Sequence, residues 1–298
     1  MDYHKSVLLK KSVDFLEVEE GGEYVDVTFG GGGHSKEILN RVKSCSLFSF
    51  DQDEDALKND LKDDRLILIH ANFSELKKNL MLYQATQVDG LLADLGVSSH
   101  QFDDESRGFS IRTNERLDMR MSKKHKKDAQ SILNTYTKEE LLRVFKEHSD
   151  LKSPGRVVGA ILKKVEEGKM ETTEDLIQSV RFISERNKEN KFLAQVFQAV
   201  RMEVNDELGA LKALLIQSAE VLKPGGKLVV IAYHSIEDRL VKNFMKTGTF
   251  DGNPEKDVFG RFEVPFKMTT KKPIIPEEEE LLENNRSRSA KLRVAVKL

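Results

Sequence analysis

The sequence of 298 residues contains one cysteine, no tryptophan and six prolines. A single cysteine, Cys45, excludes an internal disulfide framework and favours a reducing cytoplasm. No apolar stretch approaches the roughly 18 residues that a membrane-spanning helix needs. The amino terminus lacks the charged-then-apolar pattern of a signal peptide. We therefore expect a cytoplasmic protein that has no membrane segment.

Charge of one sign is also lacking, because 48 basic and 50 acidic residues leave a net charge of -2. No global positive field attracts nucleic acid, so any polyanionic partner must be bound by local patches. The seven histidines show no familiar metal-ligand spacing, and we expect no metal. Neither a Gly-Lys-Ser/Thr phosphate loop nor a Gly-x-Ser-x-Gly elbow occurs. The chemistry must therefore be sought in glycine-rich and acidic segments.

Four consecutive glycines, residues 30–33, directly follow a short apolar run that contains Asp26. A turn without Cβ atoms lets the backbone lie flat against a ligand. A second apolar run, residues 47–50, ends in Asp51. A carboxylate there can accept hydrogen bonds from both ribose hydroxyls. A glycine turn after one strand and an acid at the tip of the next favour an adenosine-containing cofactor.

Each of these residues also has a purely structural interpretation. The glycine turn can be an ordinary loop, and Asp51 can cap a strand end, with Asp53 and Asp55 as competitors for its role. Asp26 lies in an apolar strand, where a buried acid is costly unless it is paired. It can face the positive charge of a sulfonium cofactor, or hold the glycine loop through backbone hydrogen bonds. The residues alone leave both interpretations open.

Strand-like and helix-like segments divide the chain. Up to about residue 99, short apolar runs alternate with helix-like stretches, which predicts βαβ units and a parallel sheet. The expected strands are residues 24–28, 46–51, 66–70 and 89–95. From about 105 to 220, apolar residues recur at helical spacing instead. A turn at 222–227 then precedes a buried strand at 228–233, and the carboxyl-terminal segment predicts a last strand at a sheet edge.

The long interval between the fourth and fifth strands indicates an insertion. Asp94 and Pro224 are 130 positions apart, far more than a βαβ crossover needs. We interpret the excess as a helical domain inserted into the sheet domain. Residues 1–104 and 217–298 are expected to form a discontinuous α/β domain, and residues 105–216 an inserted helical domain that recognises the substrate.

Two further segments are candidates for the reacting site. Asp94 is expected beyond the carboxyl end of a central strand, where a doubly wound fold places its reactive centre. His234, between Tyr233 and Ser235, follows the next strand and forms the second candidate wall. Asp94 can equally be a capping acid, and His234 a satisfied strand-end residue. Basic residues at 123–127 and 286–288 are solvated loops unless the substrate is a nucleic acid.

Seven sequence blocks then carry a specific resemblance. They are YHKSVLL at 3–9, DVTFGGGGHS at 26–35, DGLLADLGVSS at 89–99, RGFS at 107–110, LDMRM at 117–121, FQAVR at 197–201 and HSIEDR at 234–239. In this order, and over nearly the whole chain, they resemble the bacterial 16S ribosomal RNA cytosine N4-methyltransferase family. The resemblance implies a class I S-adenosylmethionine-dependent methyltransferase fold, a Rossmann-like α/β sheet with an inserted helical domain.

The resemblance also implies the cofactor, its pocket and the substrate. The cofactor is S-adenosylmethionine, with Gly32, Gly33 and His34 along its amino-acid portion. Asp51 contacts the ribose and Phe73 the adenine, and the pocket is completed by Asp94 and Gln101. The substrate is a cytosine in the decoding centre of 16S rRNA, methylated on its exocyclic nitrogen, so the partner is 16S rRNA or the small ribosomal subunit.

Two positions depart from the family pattern. Gly31 stands where relatives often carry arginine. In residues 149–156 only Arg156 matches a helix start that is rich in Glu and Arg in relatives. The Pro154-Gly155 pair is expected to delay that helix.

The chemistry of the implied reaction suggests roles for the acids. The cytosine amine is a poor nucleophile because its lone pair is delocalised into the ring. An acceptor must take an N–H proton, and in-line positioning supplies much of the rest of the rate. We expect Asp94 or residues 95–99 to be that acceptor, with Asp118 or His234 in support. The base must also leave its stack or be unpaired already.

Two other functions remain open on the sequence. A nicotinamide-dependent oxidoreductase would use a similar glycine turn, but the third glycine of G-x-G-x-x-G falls on Ser35 and no hydride-transfer residues are evident. A non-catalytic RNA-binding factor of ribosome assembly would share the basic patches without the chemistry.

Overall fold

The computed structural model describes residues 6–97, 105–122 and 125–298. These residues form two compact units, one of Met1–Gly96 with Leu208–Leu298 and the other of Val97–Glu207. The boundaries expected from the sequence, at residues 104 and 216, lie a few positions further along the chain. Gln101, Lys123 and Lys124 lie outside the described residues.

Within the described residues, seven strands of the first unit form one sheet in the order β3-β2-β1-β4-β5-β7-β6. They are β1 (Gly22–Asp26), β2 (Cys45–Asp51), β3 (Leu66–His70), β4 (Val88–Asp94), β5 (Leu222–Ala232), β6 (Phe266–Met268) and β7 (Lys291–Lys297). Neighbouring strands are parallel, except that β7 runs antiparallel to β5 and β6. The chain winds outward in opposite directions from β1 and β4, so a ligand crevice is expected beyond the carboxyl ends of these two strands.

The helices described in the structure are, in chain order, α1 (Leu9–Leu16), α2 (Gly33–Arg41), α3 (Leu76–Leu82), α4 (Ala129–Thr135), α5 (Lys138–Glu147), α6 (Pro154–Glu167), α7 (Thr173–Val180), α8 (Glu189–Asn205), α9 (Glu207–Val221), α10 (Ser235–Thr247) and α11 (Glu278–Glu283). Helices cover both faces of the sheet. Alternate residues of β1 show this, because Tyr24 packs in the core that contains Ile38 of α2, whereas Val25 packs in the core that contains Leu214 of α9. The predicted class I, Rossmann-like α/β fold with a helical insertion is confirmed by this architecture.

The strands differ from the sequence expectation in two places. The first four predicted runs correspond to β1–β4 within two residues. The last strand was expected at a sheet edge, and this is wrong: β7 pairs with β5 on one side and with β6 on the other. β6 has three residues, too few for a period-two pattern to be visible. β5 begins earlier than predicted, because Leu222 already pairs with Val88 before a register shift restores pairing at Lys227.

The second unit has its own apolar core, formed mainly by α4 to α8. Its helices begin at residues suited to that position. Thr137 accepts the N–H of Glu140 at 3.2 Å, and the Glu140 carboxylate accepts the N–H of Thr137 at 2.7 Å, a reciprocal capping box. α6 begins at Pro154 itself, where the missing proline N–H costs no helical hydrogen bond. The Pro154-Gly155 pair therefore does not delay the start of this helix beyond Pro154, and Gly155 is already helical.

The buried carboxylate of Asp26 connects, through hydrogen bonds, the strand ends that border the expected ligand crevice. Asp26 is fully buried at the end of β1. It accepts hydrogen bonds from the Thr28 N–H at 3.1 Å and from the Ser35 hydroxyl of α2 at 2.7 Å. The Ser35 hydroxyl lies 2.8 Å from that of Ser49 on β2, and the Thr28 hydroxyl accepts the N–H of Asp94 on β4 at 2.7 Å. Among the two interpretations of Asp26, this geometry supports the structural one.

Replacing Asp26 by alanine is expected to lower the free energy of unfolding of the sheet unit by about 3 kcal/mol, because buried donors of Thr28 and Ser35 lose their acceptor. Urea unfolding followed by circular dichroism measures the change. The matched control is Asp14→Ala, which removes an exposed ion pair with Arg41 and should cost less than about 1 kcal/mol. Equal effects of the two substitutions would contradict the structural role.

Candidate active site

The glycine turn between β1 and α2 lies at the carboxyl edge of the sheet. Gly30 and Gly32 have φ values of 51° and 75°, which residues with side chains rarely adopt. A Cβ on Gly33 would lie 2.1 Å from the hydroxyl oxygen of Ser6, too close for any real contact. The backbone conformation therefore favours glycine at positions 30 and 32, and a side chain at position 33 would have to displace the Ser6 hydroxyl, so a cofactor role for the turn depends on what surrounds it.

Asp51 lies at the end of β2 and is bonded directly to the turn. The Gly30 N–H donates to Asp51 Oδ2 at 2.8 Å, and the Asp53 N–H donates to Oδ1 at 2.9 Å. Asp51 thus caps the strand end, yet each carboxylate oxygen keeps a second lone pair for a ligand. Asp53 is buried, and its Oδ1 accepts the Asp55 N–H at 3.1 Å.

Asp51 is electrostatically unfavourable as a charged group. Its pKa is raised to about 6, mainly by burial and also by the nearby carboxylates of Asp53 and Asp26, while backbone hydrogen bonds from Asp53 and Gly30 oppose the shift. No cationic side chain in the described part of the chain pairs with Asp51 or Asp26. A bound cation at this edge would stabilise both carboxylates.

Asp94 lies at the end of β4 between a phenol and an imidazole. Tyr233 donates its hydroxyl proton to Asp94 Oδ1 at 2.7 Å. His34 Nδ1 lies 3.8 Å from Asp94 Oδ2. The other ring nitrogen, Nε2, lies 3.2 Å from the carbonyl oxygen of Val7, which can only accept, so Nε2 carries a proton. His34 therefore binds the Val7 carbonyl through Nε2 and faces Asp94 with Nδ1.

The pKa of Asp94 is raised to about 6. Burial is the main cause, His34 and the Tyr233 hydrogen bond oppose it, and Asp26 and Glu237 add to it. Burial also raises the pKa of Tyr233 well above 10, with Asp94 contributing, so Tyr233 stays a neutral donor. The Asp94 side chain is 20% exposed, which leaves it accessible to a ligand. It is therefore a carboxylate that can both accept a hydrogen bond and take up a proton near neutral pH.

The second predicted wall, at His234, is held in place by Glu237, which the sequence analysis did not name as a site residue. Glu237 is buried, and its Oε2 accepts the N–H groups of Tyr233 at 3.1 Å and of His234 at 3.2 Å. These contacts hold the junction between β5 and α10. The acid three residues after the helix-preceding His234 is the signal that could have found it. Thr28, which contacts Asp26 and Asp94, has no comparable pattern.

Phe73 begins a short helical turn (Phe73–Glu75) directly after β3. Its ring is partly buried against the sheet core. The preceding Asn72 accepts the N–H of Ser74 at 2.8 Å and donates to the side chain of Gln52, just beyond β2, at 2.7 Å. The segments that follow β2 and β3 are thereby joined, which places the predicted ribose and adenine contacts on adjacent segments.

Asp118 belongs to the second unit and has a different environment. Arg120 donates to both of its oxygens, Nε to Oδ1 at 2.7 Å and Nη2 to Oδ2 at 2.8 Å. Burial opposes ionisation of Asp118, but the hydrogen bonds from Arg120 outweigh it and lower its pKa. The same segment is fixed by Asn205, which accepts the Met121 N–H at 2.7 Å and donates to the Met119 carbonyl at 2.8 Å.

The described residues show neither a metal-binding cluster nor a membrane-spanning helix. They contain no group of three or more side chains of the kinds that hold a metal ion. None of the helices they form is long and apolar enough to cross a membrane.

A family model described as the MraW methylase family matches residues 1–298. A protein of Christiangramia forsetii named Ribosomal RNA small subunit methyltransferase H is 50% identical over 299 residues, covering 100% of this chain and 99% of that protein. A protein of the same name from Flavobacterium psychrophilum is 54% identical over 291 residues, 97% of this chain and 100% of that protein.

A solved structure of an rRNA methylase from Streptococcus thermophilus aligns over 97% of this chain and 95% of its own, with 14% identity and a TM-score of 0.40. The family assignment depends on the sequence matches instead. They confirm the predicted resemblance, and the chain belongs to the MraW methylase family.

Proposed function

We propose that this chain transfers a methyl group from S-adenosylmethionine to the exocyclic nitrogen N4 of a cytosine in the decoding centre of 16S rRNA. Family membership supports methyl transfer, and the names of the curated relatives support small-subunit rRNA as the substrate. The observation that carries the proposal is Asp94, a partly buried carboxylate with a pKa raised mainly by burial to about 6, held at the carboxyl end of a central strand.

The residues at the sheet edge fit the cofactor. S-adenosylmethionine supplies a methyl group activated by a positively charged sulfur. Buried Asp26 and partly buried Asp51 and Asp94 form an environment that favours a cation, since burial and repulsion from neighbouring carboxylates raise the pKa values of the last two. Gly32, Gly33 and His34 would hold the amino-acid portion, Asp51 the ribose and Phe73 the adenine, as in the family pattern.

Asp94 has the properties that the cytosine amine requires. Tyr233 binds its Oδ1, which orients the carboxylate, while Oδ2 lies 3.8 Å from Nδ1 of His34, beyond hydrogen-bond distance. Oδ2 can therefore accept an N–H of the amine, increase the electron density on the nitrogen and take the proton after methyl transfer. With a pKa of about 6, Asp94 is ionised at neutral pH yet basic enough to accept that proton.

The other candidates fit a supporting role better. Both carboxylate oxygens of Asp118 are bound by Arg120, whose hydrogen bonds outweigh burial and lower the pKa of Asp118, so it is a weak base. The backbone of His234 is fixed by Glu237, which makes it a wall residue. We assign proton acceptance to Asp94.

Asp94→Asn is expected to reduce kcat at least about 100-fold, because an amide cannot accept the proton. The assay is methyl incorporation into small subunits from a strain that lacks this modification, with mass mapping of cytidine in the purified RNA. Asp89→Asn, at the opposite end of β4, is the matched control and should retain activity.

Two results would contradict the proposal. Near-normal turnover by Asp94→Asn would remove Asp94 from the reaction. Absence of N4-methylcytidine after incubation with the unaltered enzyme would exclude the activity itself and favour the non-catalytic RNA-binding alternative.

S-adenosylmethionine binding is expected to release protons near pH 6. A cation lowers the pKa values of Asp51 and Asp94, which burial raises to about 6, so affinity should increase as pH rises through this value and then level off. Calorimetry in buffers of different ionisation enthalpy measures the proton release. Asp51→Asn should diminish it and weaken binding about tenfold, equivalent to one charge-assisted hydrogen bond. Affinity that does not vary between pH 5 and pH 8 would contradict the assignment.

A further inference from the structure

The second unit carries an exposed aromatic ring in a basic setting that the proposed catalysis does not use. We call residues 181–191, which follow α7 and include the first three residues of α8, together with Lys152, the Phe182 patch. The Phe182 side chain is 70% exposed. Ile183, next to Phe182, and Phe192, next to Lys191, pack against the helical core. The backbone is thus anchored at both ends while the Phe182 ring remains in solvent.

The charges of the Phe182 patch are strongly positive. Its cations are Lys152, Arg181, Arg186, Lys188 and Lys191 and its acids are Glu185 and Glu189, a net charge of +3 where the whole chain carries -2. Glu185 binds both Lys152, at 2.9 Å, and Lys188, at 2.5 Å, and Glu189 binds Arg181 at 2.9 Å. These pairs order the segment.

Two cations of the patch remain available to a partner. Arg186 and Lys191 are exposed, and neither pairs with an acid within the described ranges. They lie on the same segment as Phe182, Arg186 between the ion-paired residues Glu185 and Lys188, and Lys191 just after Glu189. A polyanion is therefore the partner that the charge of this surface fits.

We propose that the Phe182 patch binds an unpaired segment of ribosomal RNA, with a base stacked on Phe182 and phosphates on Arg186 and Lys191. This inference rests on the proposed function, which makes RNA the substrate. Single-stranded nucleic acid is bound by exposed aromatic rings, on which bases stack, combined with cations along the backbone. An acidic protein would bind the cations, but its acidic groups would not account for the exposed phenylalanine on the same segment.

A second exposed phenylalanine shows that exposure alone does not select this surface. Phe259 is 80% exposed in the first unit. The net charge around Phe259 is negative, whereas that of the Phe182 patch is positive, because residues 255–263 contain three acids and two cations, a net charge of -1. Phe259 is therefore a matched control for the loss of an exposed aromatic ring.

The test measures binding of deproteinised 16S rRNA by the full chain, by filter retention over a range of salt concentrations. Phe182→Ala should weaken binding roughly fivefold or more, the low end of the stacking range, and Phe182→Trp should retain it. Arg186→Ala combined with Lys191→Ala should reduce the slope of log affinity against log salt by about 1.4, the value for two phosphates of a single strand. Phe259→Ala should bind like the unaltered chain. Unchanged circular dichroism establishes that each variant is folded.

Equal binding by Phe182→Ala and Phe259→Ala would overturn the proposal. So would a loss seen only with assembled small subunits and not with deproteinised RNA, since that result identifies a ribosomal protein as the partner. Failure of the proposed function is distinguishable: the unaltered enzyme would then methylate no cytosine, while the RNA-binding difference between the two phenylalanine variants still decides the role of the patch.

Discussion

The buried carboxylate of Asp26 is the constraint on which the arrangement of the site depends. Through Thr28 it reaches the backbone of Asp94, and through Ser35 it reaches Ser49 on the neighbouring strand. A charged group in an apolar sheet is tolerable only because several donors converge on it. The same donors fix the relative positions of the ends of β1, β2 and β4, so the glycine turn and the candidate proton acceptor share one support.

This support has an electrostatic consequence for the acids around it. The pKa values of Asp51 and Asp94 are raised to about 6, mainly by burial and in smaller part by the charge of Asp26. A carboxyl whose pKa is higher in the folded than in the unfolded state contributes stability below the unfolded value of 3.8, and that contribution is lost as pH rises through about 6. At neutral pH the ionised carboxylates of Asp51 and Asp94 therefore lower the stability of this sheet edge. A bound cation would offset that loss of stability.

The sequence predicted the sheet well, because its strands are continuous apolar runs with acids at their tips. It could not predict β6, which is too short for a pattern, and so it misplaced β7 at the edge. It named Asp51 and Asp94 as candidate site residues from their position after strands, and the structure places both at the carboxyl ends of β2 and β4. It left the role of Asp26 open, because the partners of a buried acid are distant in the chain: Ser35 and Ser49 show no periodicity that marks them as its partners. Tertiary hydrogen bonds decide such roles, and spacing does not encode them.

Asp94 and Asp118 illustrate why residue type alone does not assign chemistry. Both follow apolar residues in motifs that resemble the same family. Burial raises the pKa of Asp94 to about 6, and Tyr233, which donates to Oδ1, leaves the other oxygen able to accept a proton. Asp118 is also partly buried, but the guanidinium of Arg120 occupies both of its oxygens and lowers its pKa. A carboxylate matched to an arginine is a structural anchor, whereas one matched to a phenol keeps the basicity that methylation of an amine requires.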